Sequence, residues 1–216
     1  MPLPPSTPIA SPVPLAIAVF ARAPVAGETK TRLIPRLGAA GAAHLQAQLI
    51  ECALARATAL DGAPVSLWVA GDPDHAVVVE AAQRHRVTVH AQQGLDLGAR
   101  MAHAFATLLG GAERVVLIGT DCPAMTVDDL RDAAAALEVD DVVLQPALDG
   151  GYVLIGLREP QPELFVDIAW GGALVREQTE ARAATLGLTV GRARPLPDLD
   201  TAEDYAHALA QGWIEA

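Results

Sequence analysis

The chain of 216 residues has few aromatic side chains and few cations. Phe, Trp and Tyr make up only 4% of it, too few for the aromatic platform on which single-stranded nucleic acids stack. There are 15 Lys and Arg but 26 Asp and Glu, which gives a net charge of -11. Because nucleic acids and anionic membranes both bind to cationic faces, we expect neither as a partner.

Cysteines and long apolar segments are scarce as well. Cys52 and Cys122 are too few and too far apart to indicate a disulfide framework or a metal knuckle. No uninterrupted apolar run approaches the roughly 20 residues that a membrane-spanning helix needs. Residues 1–14, rich in Pro and Ser and without a basic segment, indicate a flexible tail rather than a signal peptide. We therefore expect a cytoplasmic protein with a single domain over residues 15–216.

Two kinds of segment alternate along the rest of the chain. Short β-branched apolar runs such as residues 15–21 and 65–70 are followed by longer Ala-rich stretches such as 38–60 and 97–109. This alternation predicts an α/β fold, with a mainly parallel mixed sheet and helices on both faces. The run over residues 141–157 predicts two antiparallel strands joined by a tight turn. A further helix is predicted near residues 171–187.

Ligands of such folds bind beyond the carboxyl ends of the strands, near the point where the strand order reverses. This rule directs attention to two loops, residues 22–32 after the first strand and residues 120–125 after the fourth. Polar side chains in these loops that lack a structural role are the first candidates for a binding site.

The loop after the first strand concentrates cations in an otherwise acidic chain. Lys30 provides a mobile point charge, and Arg22 and Arg32 provide planar guanidinium groups, all suited to phosphate oxygens. Gly27 permits close approach of the backbone, and Thr31 adds a hydroxyl. The Gly27–Lys30 spacing is too short for the phosphate loop of P-loop kinases. A solvated turn is the alternative, but the position after the first strand favours a phosphate site.

Asp121 follows the fourth apolar run directly. A carboxylate at a strand end can hold Mg²⁺ or Mn²⁺, which prefer oxygen ligands and bridge phosphates. The alternative is a turn or capping residue, but Thr126, with Asp129 three residues later, already predicts the N-cap of the next helix. Cys122 is predicted to be a packed residue and not a nucleophile, because no His has a clear partner position.

A glycine turn and a tryptophan are candidates for binding an acceptor molecule. Asp149, Gly150 and Gly151, followed by Tyr152, suit a type I′ hairpin turn. A turn at the mouth of a cavity could equally admit a phosphate or an acceptor, and the sequence does not separate the two roles. Trp170 could form a cavity wall or pack in the core.

Two carboxylates near the end of the chain could reach the same place. In an extended segment, Asp198 and Asp200 would project to the same side, where one could complete a metal site with Asp121. The alternative is helix capping, because Thr201 and Asp204 have the spacing of a capping box. One of the two aspartates could serve each purpose.

The segment over residues 92–101 carries further polar side chains. It could bring Gln92, Asp96 and Arg100 to the cavity, although a capped helix start explains Asp96 equally well. The six histidines show neither metal-ligand spacing nor a companion Ser or Cys motif. They are expected on helix faces or in solvent.

These motifs together resemble the DUF2064 family, also called radical SAM/selenodomain-associated transferase 1, of the nucleotide-diphospho-sugar transferase (GT-A) superfamily. The segments "FARAPVAGETKTRL", "QQGLDLGARM", "IGTDCPAM", "DGGYVLIGL", "WGG" and "LPDLDTAEDY" occur in the order seen in that family, over residues 15–210. More distantly, the chain is similar to phospholactate guanylyltransferases, which share the Lys-Thr-Arg-Leu element, and to molybdenum-cofactor guanylyltransferases.

The resemblance implies a GT-A-like sandwich that binds a nucleoside triphosphate or a nucleotide sugar together with Mg²⁺ or Mn²⁺. On the matching motifs, Lys30 and Arg32 would lie on the phosphate loop, Asp121 would occupy the metal-binding position, and Asp200 would complete the metal site. Many glycosyltransferases carry Asp-x-Asp at the strand end. This chain has a single carboxylate there, which favours nucleotidyl transfer.

The leading hypothesis is therefore a metal-dependent nucleotidyltransferase that joins a nucleoside triphosphate to a small acceptor bearing a phosphate or a carboxylate and releases pyrophosphate. A glycosyltransferase and a non-catalytic nucleotide-binding module are the alternatives. The hypothesis assigns catalysis to Lys30, Arg32 and Asp121, and the metal to Asp121 and Asp200. It assigns the remaining roles to phosphate-binding Arg22, Gly27, Thr31 and Arg100, and to acceptor-binding Asp149, Gly150, Gly151, Tyr152 and Trp170.

Overall fold

The computed structural model describes residues 14–216. The flexible tail predicted for residues 1–14 lies outside the described residues, apart from Pro14. Within the described range, seven strands and six α-helices follow one another as β1 (Ala16–Arg22), α1 (Ile34–Thr58), β2 (Val65–Ala70), α2 (Ala76–His85), β3 (Thr88–Ala91), α3 (Leu97–Leu108), β4 (Val115–Gly119), α4 (Val127–Ala136), β5 (Val142–Pro146), β6 (Tyr152–Leu157), α5 (Val175–Thr185), β7 (Val190–Arg192) and α6 (Ala202–Ala210).

All seven of these strands form one sheet in the order β3-β2-β1-β4-β6-β5-β7. Strand β1 pairs in parallel with β2 and β4, and β7 pairs in parallel with β5. Strand β6 is antiparallel to both of its neighbours, β4 and β5. The prediction of a mainly parallel mixed sheet with one antiparallel excursion is therefore confirmed.

Helices cover both faces of the sheet, as the alternation of side chains along β1 illustrates. Ile17 and Val19 point into a core cluster shared with α1, α2 and α4. Ala18 and Phe20 point to the opposite face, where they join residues of α3 and α5. The apolar run of β1 is thus explained by burial on both faces.

Three predicted helix starts are confirmed. Thr126 and Asp129 form a reciprocal capping box at α4, and Thr201 and Asp204 form another at α6. Asp96 caps α3 by accepting a hydrogen bond from the backbone nitrogen of Ala99. Within residues 14–216, no helix combines the length and the apolar character needed to cross a membrane.

The first and fifth helices differ from their predicted bounds. Helix α1 was predicted over residues 38–60, but it begins at Ile34 and is interrupted at Gly38, whose φ of 72° and ψ of 167° are not helical. The helix predicted over residues 171–187 is shorter, because Gly171 and Gly172 lie in a turn before Val175. In both cases the difference lies beside a glycine, which permits the chain to change direction.

Candidate active site

A cavity of about 660 Å³ opens at the carboxyl ends of strands β1 to β4, within the range typical of small-molecule sites. The loops after β1, β3 and β4 line it, together with the turn before β6 and the segment before α6. Of the predicted site residues, those that line the cavity are Arg22, Lys30, Thr31, Arg32, Arg100, Asp121, Asp149, Gly151, Tyr152 and Asp200.

Three predicted site residues lie outside this lining. Gly27 is exposed on the loop after β1, with a φ of 88°. Gly150 lies against the backbone of Ala173, where an added Cβ would come within 2.0 Å of the carbonyl oxygen. The Trp170 ring packs near Phe165, with 6.5 Å between ring centroids. A binding role for these three residues stays a prediction.

Lys30 lies at the centre of a charged cluster in the cavity. Its Nζ lies 3.0 Å from Asp121 Oδ1 and 3.5 Å from Asp200 Oδ1, and it also donates to the carbonyl oxygen of Leu199. Its side chain is only 5% exposed. Because a buried unpaired ammonium would be strongly unfavourable, these oxygens stabilise the charge of Lys30 in this position.

Two buried leucines bring the loop over residues 22–32 close to Asp200. Leu33 and Leu199 are both packed in the cluster that joins α1 to α6. They hold the neighbouring Arg32 and Asp200 side by side, with 2.9 Å between Arg32 Nη1 and Asp200 Oδ2. The backbone nitrogen of Leu199 also donates to the carbonyl oxygen of Asp121 at 2.8 Å. Packing of this cluster between α1 and α6 therefore sets the spacing of the charged groups.

Gln46 of helix α1 is a site residue that sequence reasoning missed. Its side chain is 2% exposed, and its Nε2 donates to the carbonyl oxygen of Arg22 and to Thr120 Oγ1, at 3.3 Å each. Thr120 in turn donates to Asp121 Oδ1 at 3.2 Å. The sequence feature that could have indicated this role is a polar amide between the buried positions Leu45 and Leu49, where an apolar residue would be ordinary.

Gln92 closes the cavity beyond strand β3. Its Nε2 donates to the carbonyl oxygens of Ala21 and Trp68, at 3.1 and 3.0 Å, and so connects the ends of β1, β2 and β3. Nearby, Arg100 Nε donates to the carbonyl oxygen of Gly94 at 3.2 Å. The structure thus places both Gln92 and Arg100 in the cavity wall, as the sequence suggested.

Part of the cavity lining is acidic. Asp149 Oδ1 accepts from the backbone nitrogen of Gly151 at 2.8 Å, so Asp149 shapes the turn and also lines the cavity. Burial, together with the charge of Asp149 and then those of Asp200 and Asp204, raises the pKa of Asp198 to about 6. The cavity lining therefore combines cations from the loop over residues 22–32 with carboxylates that include Asp149 and Asp198.

The Asp121–Asp200 pair has a donor set that fits Mg²⁺ or Mn²⁺. Mg²⁺ sites in nucleotide enzymes commonly use one or two carboxylates, with substrate phosphates and waters as the remaining ligands. In the described part of the chain, no group of three or more His, Cys, Asp and Glu side chains is arranged to hold a metal ion. The two carboxylates thus suit a cation that shares its ligands with a phosphate compound.

Comparison with known proteins identifies the family. The family model of DUF2064, which is described as an uncharacterized protein conserved in bacteria, matches residues 53–172 of this chain. The chain is 31% identical over 180 residues to a phosphoenolpyruvate guanylyltransferase of Sphaerobacter thermophilus, covering 81% of this chain and 84% of that protein.

Solved structures agree with this relationship. A candidate nucleotide-diphospho-sugar transferase from Desulfovibrio desulfuricans G20 has a TM-score of 0.81 and 33% identity, over 92% of this chain and 87% of that one. A manganese complex of a Mycobacterium tuberculosis H37Rv protein has a TM-score of 0.56 and 15% identity, over 91% and 98%, and shows the same fold. The chain belongs to the DUF2064 family, and it is a transferase with the nucleotide-diphospho-sugar transferase fold.

Proposed function

We propose that this protein is a metal-dependent nucleotidyltransferase. Its substrates would be a nucleoside triphosphate and a small acceptor that bears a phosphate or a carboxylate. The observation that carries the proposal is the charged cluster in which Lys30 and Arg32 of the phosphate loop meet the carboxylates of Asp121 and Asp200. The relative named phosphoenolpyruvate guanylyltransferase supports the same class, since phosphoenolpyruvate carries both a phosphate and a carboxylate.

The reaction needs positioning and charge neutralisation more than proton transfer. An acceptor oxygen attacks the α-phosphorus, the bond from that phosphorus to the oxygen that bridges to the β-phosphorus breaks, and pyrophosphate leaves. Because the acceptor is already an anion, no general base is required. The triphosphate oxygens would be bound by cations of the cavity lining, Lys30, Arg32, Arg22 and Arg100.

Asp121 and Asp200 would hold the Mg²⁺ or Mn²⁺ that the reaction needs. When bound, the cation supplies positive charge to the reacting phosphate oxygens. Thr120 orients Asp121 through the hydrogen bond to its Oδ1. Support for a divalent cation comes from the carboxylate pair itself and from the manganese complex of a protein with the same fold.

A glycosyltransferase that uses a nucleotide-diphospho-sugar is the second candidate. It is favoured by the 33% identity to the candidate nucleotide-diphospho-sugar transferase. In this version the same cationic residues would bind the departing diphosphate, and Asp149 would orient the acceptor. Acidic side chains such as Asp149 suit the hydroxyl groups of a sugar acceptor.

A thermal-shift screen of nucleoside triphosphates and nucleotide sugars, each with and without Mg²⁺ or Mn²⁺, tests the proposal. A ligand that binds only the folded protein raises its melting temperature. We expect a triphosphate with a divalent cation to give the largest rise, and a sugar nucleotide to do so if the second candidate is correct. Binding without any release of pyrophosphate or sugar in the presence of acceptors would instead indicate a non-catalytic nucleotide-binding module.

Variants of the charged cluster test the assigned roles. Lys30→Ala and Asp121→Ala should abolish turnover and leave the fold intact. Arg36→Ala is the matched control, because Arg36 is an exposed cation six residues after Lys30 that does not line the cavity. Full turnover in either Lys30→Ala or Asp121→Ala would contradict the assignment.

A further inference from the structure

The hydrogen bonds of Lys30 are satisfied by the protein itself. An ammonium group has three donors, and Nζ has three oxygen neighbours, on Leu199, Asp121 and Asp200. With its side chain 5% exposed, Lys30 directs its charge at the carboxylates, whereas the side chain of Arg32 is 71% exposed. The cation that the phosphate loop would offer to a ligand is therefore engaged before any ligand arrives.

The same contacts occupy three of the four carboxylate oxygens that would bind a metal. Oδ1 of Asp121 and Oδ1 of Asp200 both face the ammonium of Lys30, and Oδ2 of Asp200 binds Arg32. A divalent cation that joined these two carboxylates would lie within a few ångströms of the ammonium. Two cations so close repel each other strongly in a partly buried site.

We infer that the Lys30 ammonium and the divalent cation exclude each other from the Asp121–Asp200 pair, and that the phosphates of the nucleotide relieve the conflict. This inference rests on the proposed function and specifies how that site is filled. Lys30 has a flexible four-carbon stem and lines the cavity in which the triphosphate would bind. Phosphate oxygens can therefore take the ammonium from the two carboxylates, whose Oδ1 atoms then become available to the metal.

The consequence is a coupling between the two ligands. Without a nucleotide, the protein binds a divalent cation weakly, because Lys30 must first lose its contacts with both carboxylates. With a nucleotide, metal and phosphates strengthen each other's binding, as linkage requires. The cavity thus takes up nucleotide and cation as a pair, and a free cation does not fill it.

Titration with Mn²⁺ in the absence of nucleotide, followed by electron paramagnetic resonance, tests the inference. Lys30→Met should bind Mn²⁺ about ten- to a hundredfold more tightly than the wild type, the range of typical coupling between sites. Lys30→Arg, which keeps the charge, and Arg36→Met, which removes a distant exposed charge, should bind like the wild type. Asp121→Asn added to Lys30→Met should remove the gain.

Lys30→Gln is a second neutral variant, for the case in which Lys30→Met does not fold. Its amide can still donate a hydrogen bond to the carbonyl oxygen of Leu199. An unchanged Mn²⁺ affinity in a folded Lys30→Met or Lys30→Gln variant overturns the inference, and so does an equal gain in Arg36→Met. If both neutral variants unfold, recovery of their circular dichroism spectrum on addition of Mn²⁺ supports the inference. Failure to recover the spectrum overturns it.

The experiment separates this inference from the proposed function. Binding of the nucleotide with Mg²⁺ is measured independently, on the wild type, by thermal shift. A wild type that binds nucleotide and metal, together with neutral Lys30 variants that gain no affinity for Mn²⁺, leaves the proposed function standing and removes the inference. If the neutral Lys30 variants gain affinity for Mn²⁺ but the wild type binds no nucleotide, the competition between Lys30 and the metal stands and the nucleotide is contradicted as the substrate.

Discussion

The side-chain amide nitrogen of Gln46 lies 3.3 Å from the hydroxyl oxygen of Thr120, so that helix α1 is joined to the loop after strand β4. The same nitrogen lies 3.3 Å from the carbonyl oxygen of Arg22, where the loop after strand β1 begins. Through Thr120 the connection continues to Asp121. Gln46 therefore fixes the positions of these two loops of the candidate site relative to each other.

Gln46→Leu is expected to lower both stability and nucleotide affinity. The free energy of unfolding should fall by about 1–3 kcal/mol, because the partly buried carbonyl oxygen of Arg22 and the buried hydroxyl oxygen of Thr120 lose their donor. Affinity for a non-reactive nucleotide analogue with Mg²⁺ should fall several-fold, because Asp121 is held less firmly. Isothermal calorimetry and urea denaturation measure the two effects.

Gln48→Leu is the control for this prediction. Gln48 lies on the same helix but lines a separate cavity beside α2 and the end of the chain. It should leave nucleotide affinity unchanged. If Gln46→Leu lowers stability but binds the analogue like the wild type, Gln46 contributes to the fold alone.

Local features of the site were predictable from sequence, and its central contacts were not. Thr126 and Thr201 were recognisable as helix caps because capping depends on residues three positions apart. The approach of Lys30 to Asp200 joins residues 170 positions apart. It depends on packing of α6 against α1 and on the position of β1 between β2 and β4, which no local pattern encodes. Gln46 was missed for the same reason.

The raised pKa of Asp198 should appear in the pH dependence of stability. The folded protein retains this proton up to about pH 6, whereas the unfolded chain releases it near the ordinary pKa of 3.8. The folded state therefore binds more protons in that window, and the free energy of unfolding falls as pH rises through it. Asp198→Asn should be more stable than the wild type above pH 6 and equal to it below the ordinary pKa, as measured by thermal unfolding across this range.

The pKa of Asp141 is shifted in the opposite direction to that of Asp198, which provides a comparison. Hydrogen bonds from the backbone nitrogen and the hydroxyl of Thr189, both at 2.9 Å, lower the pKa of Asp141. Its stabilising contribution is present above the ordinary pKa and is lost as pH falls below it. Asp141→Asn should therefore destabilise the protein at neutral pH, where Asp198→Asn stabilises it. Destabilisation by both variants would contradict the environment assigned to Asp198, and stabilisation by both would contradict that assigned to Asp141.

Cys122 should be unreactive although it borders the cavity. It is 4% exposed, and burial raises the pKa of its thiol to about 11, so that the reactive thiolate is scarce at neutral pH. Iodoacetamide at neutral pH should modify Cys52, which is partly exposed, before Cys122. Mass spectrometry of the peptides gives the order, with the urea-unfolded protein as the control in which both react. Faster labelling of Cys122 would reopen a nucleophilic role.

Gly150 and Gly27 share a positive φ but differ in what surrounds them. Gly150 has a φ of 97°, and an added Cβ would lie 2.0 Å from the carbonyl oxygen of Ala173. Gly27 has a φ of 88°, and no heavy atom lies within 4 Å of its added Cβ, apart from the adjoining residues. The turn before β6 therefore needs glycine for close packing as well as for its backbone conformation.

Alanine substitutions should separate these two effects. Gly150→Ala is expected to lose about 2–5 kcal/mol of unfolding free energy, from backbone strain and the collision with Ala173 together. Gly27→Ala should lose only about 1–2 kcal/mol, from strain alone. Urea denaturation of both variants measures the difference. Equal losses would mean that the backbone of Ala173 can move aside. The need for glycine at position 150 would then not come from packing, and the predicted binding of an acceptor molecule at this turn would be the alternative explanation.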